Sequence, residues 1–147
     1  MKHARMYLMA LAVVLLDRLT KARFADARRV LIPHILALNG TRNTGMAFGL
    51  LSGHGWVLAL AAALFIAGAL LYVRKKPLNR LCQYALGLLL GGAAGNLVDR
   101  ALLGCVIDFI QPLFVRFAVF NAADIGVTVG TGLLLIHLLF GKEEKHP

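Results

Sequence analysis

The sequence predicts an all-α membrane protein: four transmembrane helices with a small β-like, loop-rich subdomain outside the bilayer. Three observations predict it. Of the 147 residues, 59% are hydrophobic, where a soluble domain typically has about 45–50%. The excess is concentrated in four runs, at about 5–22, 55–73, 81–100 and 119–140. Each run approaches the roughly 20 helical residues that a hydrocarbon core of about 30 Å requires. Charged or Gly/Pro-containing segments separate the runs, and a chain of this length suits one integral membrane domain over residues 1–147.

The first helix is expected over about 4–22. Asp17-Arg18-Leu19-Thr20-Lys21 follows its apolar part without a small-x-small cleavage site, so the run reads as a mature helix and not as a removed leader. Asp17 and Lys21 are four apart and share a face. Residues 23–54 form a long connection. Its stretch from Arg28 to Leu38 carries β-branched Val30, Ile32 and Ile35, and Asn39-Gly40 is a turn signal, so a hairpin-like extended segment is expected there. The second helix is apolar all round. The basic turn Arg74–Arg80 leads to the third, where Gly87, Gly91 and Gly95 repeat at the small-xxx-small spacing that lets helices approach closely. Residues 101–118 read as a second connection. The fourth helix starts near Asn121 and repeats the spacing at Gly126 and Gly130, and the tail from Gly141 reads as frayed.

The net charge of +9 does not indicate nucleic acid, because the basic residues flank apolar spans and build no soluble basic face. Membrane lipids, anionic headgroups in particular, are the expected partner. Cys82 and Cys105 are isolated and lack metal-ligand spacing. Leu102-Leu103-Gly104-Cys105 resembles a lipidation box, but it lies far from any N-terminal signal and reads as coincidence. With four spans, eight of the sixteen Lys and Arg fall on each side, so a raw count does not orient the protein. The dense Arg74–Arg80 turn favours its own side, with both termini, as cytoplasmic.

Alternating helix direction has a consequence that holds for either orientation. Asp17, Asn43, Asn96, Asp99, Asp108, Asn121 and Asp124 all gather at one membrane face. An ionisable group costs about 2.5–3.5 kcal/mol at mid-bilayer and less near a helix end. Asp17 and Asp99 have basic neighbours, and headgroup-level solvation with pairing to Arg18, Lys21 or Arg100 accounts for them. Asp108, between Ile107 and Phe109 in an apolar loop, and Asp124, between Ala123 and Ile125, have no counter-ion nearby in sequence. Two carboxylates close together in a low-dielectric site share one proton. That state suits peptide hydrolysis, with one carboxylate as base toward water and its protonated partner polarising the carbonyl. Capping of the fourth helix by Asp124 is an alternative. A proton- or ion-coupled carrier would want midplane acids and internal repeats, and neither is seen. A magnesium-dependent transferase built on Asp99, Asp108 and Asp124, and a non-catalytic assembly protein, stay open on residues alone.

Five segments in order resemble the lipoprotein signal peptidases, or signal peptidase II. They are Leu16-Asp17-Arg18-Leu19-Thr20-Lys21, Asn43-Thr44-Gly45-Met46-Ala47-Phe48, Gly91 through Arg100, Val106-Ile107-Asp108-Phe109, and Phe120-Asn121-Ala122-Ala123-Asp124. The resemblance implies an aspartic endopeptidase of the bacterial inner membrane. Such an enzyme removes signal peptides from prolipoproteins by cutting before a cysteine that carries diacylglyceryl. It implies Asp108 and Asp124 as the catalytic pair, with Asp17, Lys21, Asn43, Gly45, Asn96, Asp99, Arg100 and Asn121 shaping or supporting the site. It also implies cytoplasmic termini, an active site at the outer face, no metal or other cofactor, and inhibition by globomycin-type cyclic peptides. Two departures stand out: Arg18 replaces a glutamine common in relatives, and the Asp108–Asp124 interval is short.

Overall fold

The computed structural model describes residues 2–45 and 51–140. In chain order the elements are α1 (Ala4–Phe24), β1 (Arg28–Ile32), β2 (Leu36–Asn43), α2 (Gly55–Lys75), α3 (Arg80–Leu103), β3 (Val106–Pro112) and α4 (Ala122–Phe140). Met46, Ala47 and Phe48 of the second motif, and the tail from Gly141, lie outside the described residues. Among the described residues, α2, α3 and α4 are long and apolar enough to cross a membrane. α1 has the length, 21 residues, but carries Asp17, Arg18, Lys21 and Arg23 in its second half.

α3 is the central helix and packs against α1, α2, α4 and β3. Consecutive residues on a helix point about 100° apart, and the adjacent glycines of α3 use this to serve two neighbours. A Cβ at Gly91 would lie 2.7 Å from the Ala10 carbonyl oxygen of α1, and one at Gly92 would lie 2.3 Å from the Ala123 carbonyl oxygen of α4. The small-residue spacing therefore marks helix contacts on two faces. α2 packs chiefly on α3 and turns Trp56, Leu60, Leu64 and Tyr72 outward, a surface suited to hydrocarbon. Asn79 caps α3 by accepting from the Cys82 amide at 2.8 Å. Gly104, at φ +70°, ends the helix in the left-handed conformation that favours glycine.

The three strands form one antiparallel sheet in the order β1-β2-β3. Two sequence expectations change here. Residues 101–118 are not simply a connection: β3 pairs with β2, with Thr41 opposite Asp108 and Asn43 opposite Val106. Asp108 thus sits on a strand and not in a loop. Nor does Asn39-Gly40 make the hairpin turn. The chain turns at Pro33-His34-Ile35, where His34 takes a φ of 61°. Gly40 lies inside β2 at a register shift, because the strand passes directly over the end of α1 there. Its amide donates to the Ala27 carbonyl at 2.8 Å, and a Cβ would fall 1.9 Å from the Ala25 carbonyl oxygen. Close approach, not turning, is what requires glycine at this position.

These contacts set opposite expectations for two glycines. Gly92→Val should lower stability by about 1–3 kcal/mol through overpacking. Gly68→Ala, in mid-helix with nothing within 4 Å of the added Cβ, should raise it by about 0.5–1 kcal/mol. Thermal unfolding of the purified protein in detergent reads both.

Candidate active site

The site rests on a buried ion-pair network. The i,i+4 spacing on α1 points Asp17 and Lys21 the same way, toward Asp99 on α3. The Lys21 Nζ lies 2.8 Å from Asp17 Oδ2 and 2.8 Å from Asp99 Oδ2. Arg18 bridges the same two acids from the other side, at 2.9 Å and 2.7 Å. Asp17, Lys21 and Asp99 are almost wholly buried. Two cations balance two anions, as buried charge requires. Each carboxylate also binds backbone. Asp17 Oδ1 accepts from the Ala123 amide at 3.1 Å, satisfying an orphan donor at the start of α4. Asp99 Oδ2 accepts from the Ile107 amide at 3.1 Å, fixing the start of β3.

From Lys21 the order passes outward through amides. The ammonium can only donate, and it donates to Asn96 Oδ1 at 2.9 Å. The Asn96 Nδ2 must then face the other way, and it donates to Asp124 Oδ1 at 2.7 Å. Asn121 precedes α4 and forms a reciprocal cap with Asp124: the Asp124 amide donates to Asn121 Oδ1 at 3.0 Å, and the Asn121 amide donates to Asp124 Oδ2 at 3.1 Å. That fixes the Asn121 amide, whose Nδ2 donates to Asp108 Oδ1 at 2.6 Å and to Asn96 Oδ1 at 3.1 Å. On the sheet side, the Gly45 amide occupies Asn43 Oδ1 at 3.0 Å, so Asn43 Nδ2 turns to Asp108 Oδ2, also at 3.0 Å. Arg100 holds the Gly45 carbonyl at 3.1 Å.

All ten residues picked out from the sequence therefore fall in one connected group, in two layers. Asp108 and Asp124 face a cavity of about 440 Å³ that Asn43, Gly45, Asn96 and Arg100 also line. Asp17, Lys21 and Asp99 lie behind it. The remaining wall is mostly apolar, from Val106, Phe117–Phe120, Ile125 and Val127, with Thr128 of α4 its one further polar side chain among the described residues. Burial, followed by the nearby charge of Asp124, pushes the Asp108 carboxyl up to about 6, against the pull of its two amide donors and of Lys21. Asp124 both caps its helix and faces the cavity, so capping does not withdraw it from the cavity. Arg18, expected from the sequence only as a pairing partner of Asp17 and Asp99 and as a departure from relatives, holds both acids and also the Gly95 carbonyl, the last at 3.2 Å. The wall at Phe117–Phe120 was missed. It is apolar connection in sequence and is drawn over the site by pairing of Phe120 with Ile110. Among the described residues, no group of three His, Cys, Asp or Glu is placed to hold a metal ion.

The network carries a stability expectation. Lys21→Met leaves two buried carboxylates short of a cation and should cost about 3–5 kcal/mol. Arg18→Met should cost less, since Arg18 is 31% exposed and water can partly replace it. Denaturation midpoints of the two variants in one detergent give the comparison.

The chain matches known proteins along nearly all its length. The family model for signal peptidase (SPase) II matches residues 9–140. A lipoprotein signal peptidase of Geobacillus thermodenitrificans is 40% identical, over 91% of this chain and 89% of that protein. One from Symbiobacterium thermophilum is 42% identical, over 89% of this chain and 91% of that protein. A bacterial membrane enzyme solved by the in meso method at 2.3 Å resolution superposes with a TM-score of 0.84 at 36% identity, covering 97% of this chain and 93% of that one. The chain belongs to the signal peptidase II family, and is a multi-pass membrane protease that removes signal peptides from prolipoproteins.

Proposed function

We propose that Asp108 and Asp124 are the catalytic pair of an aspartic endopeptidase that cuts before a diacylglyceryl-modified cysteine. The observation that carries this reading is Asn121, which donates to Asp108 at 2.6 Å while capping Asp124, so one residue holds both carboxyls on one cavity. With one proton on the pair, the ionised carboxylate takes a proton from water. The water oxygen attacks the scissile carbonyl carbon, and the protonated partner donates to the carbonyl oxygen. Collapse of the tetrahedral intermediate breaks the C–N bond, and the pair returns a proton to the departing amine of the cysteine. Asn43, Asn96 and Asn121 orient the carboxylates, Arg100 holds the Gly45 backbone at the cavity edge, and Asp17, Lys21 and Asp99 support them from behind. The carboxylate oxygens already accept from amide and backbone N–H groups, an arrangement that suits proton transfer better than cation binding.

In this reading α1 is a fourth span. Its Asp17 and Lys21 point inward to ion pairs, and its outer face carries Leu8, Leu11, Leu15 and Leu19. Residues 1–147 then form one domain in the bacterial inner membrane. The termini and the Arg74–Arg80 turn are cytoplasmic, and the sheet and the aspartates lie at the outer face. A lipid-modified cysteine stays in the bilayer, so its scissile bond arrives at headgroup depth, level with the pair. The apolar wall of the cavity suits a signal peptide, and a globomycin-type cyclic peptide would compete for the same space.

Two outcomes are expected. Purified protein cleaves a diacylglyceryl-modified prolipoprotein with EDTA present. Asp108→Asn and Asp124→Asn, folded by the same thermal assay, lose at least about 10³-fold in rate, in line with loss of an acid–base group. Full activity in either variant overturns the assignment. The second concerns pH. Asp108 has a native pKa of about 6 against an ordinary 3.8. Between these values the native state keeps a proton that the unfolded chain has released. Stability from this group is therefore full at low pH and is lost as pH rises from the ordinary value to the native one. Asp108→Asn removes that loss, so its melting temperature should gain on the parent across that interval and run parallel to it above.

A further inference from the structure

The β1–β2 hairpin presents an apolar surface that the helices do not use. All five residues of β1 are exposed, so neither face of the strand is covered by the described residues. A strand wetted on both faces would be polar on both, yet Val30, Leu31 and Ile32 are consecutive apolar residues, with Val30 57% exposed. Ile35, in the hairpin turn, is 50% exposed. Its carbonyl accepts from the Leu113 amide at 2.9 Å, and this brings the turn after β3 alongside. That turn adds Phe114, 73% exposed, and Val115. Two segments far apart in sequence thus build one apolar tip. Arg28, Arg29 and Arg116 flank it, and among the described residues Arg29 and Arg116 make no ion pair.

We propose that this tip is a membrane-surface anchor: Ile32, Ile35 and Phe114 enter the interfacial layer of the bilayer the helices cross, and Arg29 and Arg116 meet lipid phosphates. Two observations favour the bilayer over a second copy of the chain. The hairpin follows α1 after a short link, and the half of that helix nearest the link carries exposed Leu15, Leu16 and Leu19, so the sheet emerges beside an apolar outer surface. The flanking charge is also of one sign, so a second copy would set arginine against arginine, whereas anionic headgroups complement it. An apolar body with a basic rim is the composition of an interfacial anchor. The consequence is positional. β3 carries Asp108 and is paired to β2, so anchoring the tip fixes the depth of Asp108 relative to a substrate held by its own acyl chains. The inference rests on the reading above that α1 crosses the bilayer.

The chain has one tryptophan, so Trp56→Phe with Phe114→Trp gives a single reporter at the tip. The protein is reconstituted in phosphatidylcholine vesicles with or without phosphatidylglycerol, using lipids brominated near the headgroup or near the acyl terminus. Expected are strong quenching by the shallow bromolipid, weak quenching by the deep one and by aqueous iodide, and stronger shallow quenching with phosphatidylglycerol. Iodide quenching without a bromolipid effect overturns the anchor, as does insensitivity to both with a cross-linked dimer. A second arm reads the consequence. Ile35→Ser with Phe114→Ser should slow cleavage of a vesicle-embedded lipidated precursor by up to about 10²-fold, the scale of a 1 Å misplacement, and leave the rate in mixed detergent micelles unchanged. An equal rate in vesicles, or equal loss in micelles, overturns the positional role. A parent protein that cleaves nothing would instead count against the peptidase reading, and the quenching result would still decide the anchor.

Discussion

Four buried or half-buried charges hold this molecule in register. Lys21 and Arg18 each contact both Asp17 and Asp99. Removing such groups from water costs several kcal/mol per ion, and only close pairing with full hydrogen bonding offsets that cost. The network approaches that condition by recruiting backbone from two other elements, the Ala123 amide of α4 and the Ile107 amide of β3, while Arg18 Nε stays buried without a hydrogen-bond partner among the described residues. The same atoms that neutralise each other thus lock α1, α3, α4 and the sheet together. A lysine adds something an apolar replacement could not: a donor whose direction fixes the Asn96 amide, and through it Asp124.

Asp108 and Asp124 inherit their positions from that network and from the sheet. The glycines of α3 bring α1 and α4 close enough for the short bonds to form; a Cβ at Gly95 would lie 2.7 Å from Asp17 Oδ2. β3 then delivers Asp108 from the sheet side, where Asn43 and Asn121 grip one carboxylate oxygen each. Burial pushes Asp108 up to about 6. The network behind the cavity keeps its charges paired, while Asp108 in front is held where burial favours its protonated form. This division of labour separates Asp17 and Asp99 from Asp108 and Asp124, although all four sit at one end of the helices.

Much of this was legible in the sequence, for identifiable reasons. Alternation of helix direction is a topological constraint, so it gathered Asp17, Asn43, Asn96, Asp99, Asp108, Asn121 and Asp124 without any knowledge of packing. The i,i+4 spacing of Asp17 and Lys21 is local and was readable as a shared face. β3 was not readable as a strand. It is seven residues with an aspartate at the third and a proline at the end, and it exists because β2, far earlier in the chain, pairs with it. The turn signal at Asn39-Gly40 misled because glycine serves two ends, positive φ and close approach, and only the structure shows that Ala25 demands the second. Pairing of Arg18 with the two acids was readable from its place beside Asp17, whereas its bond to the Gly95 carbonyl depends on how α1 and α3 pack.

The central claim is that the two site carboxyls share a proton, and infrared difference spectroscopy on protein with isotope-labelled aspartate measures it directly. A protonated carboxyl band should persist to about pH 5, above the ordinary aspartate range, and titrate with a midpoint of about 6. The midpoint should fall in Asp124→Asn, which removes a charge that raises it, and the band should be lost in Asp108→Asn. A band that has vanished by pH 5 in the parent, or one indifferent to both substitutions, would contradict the account.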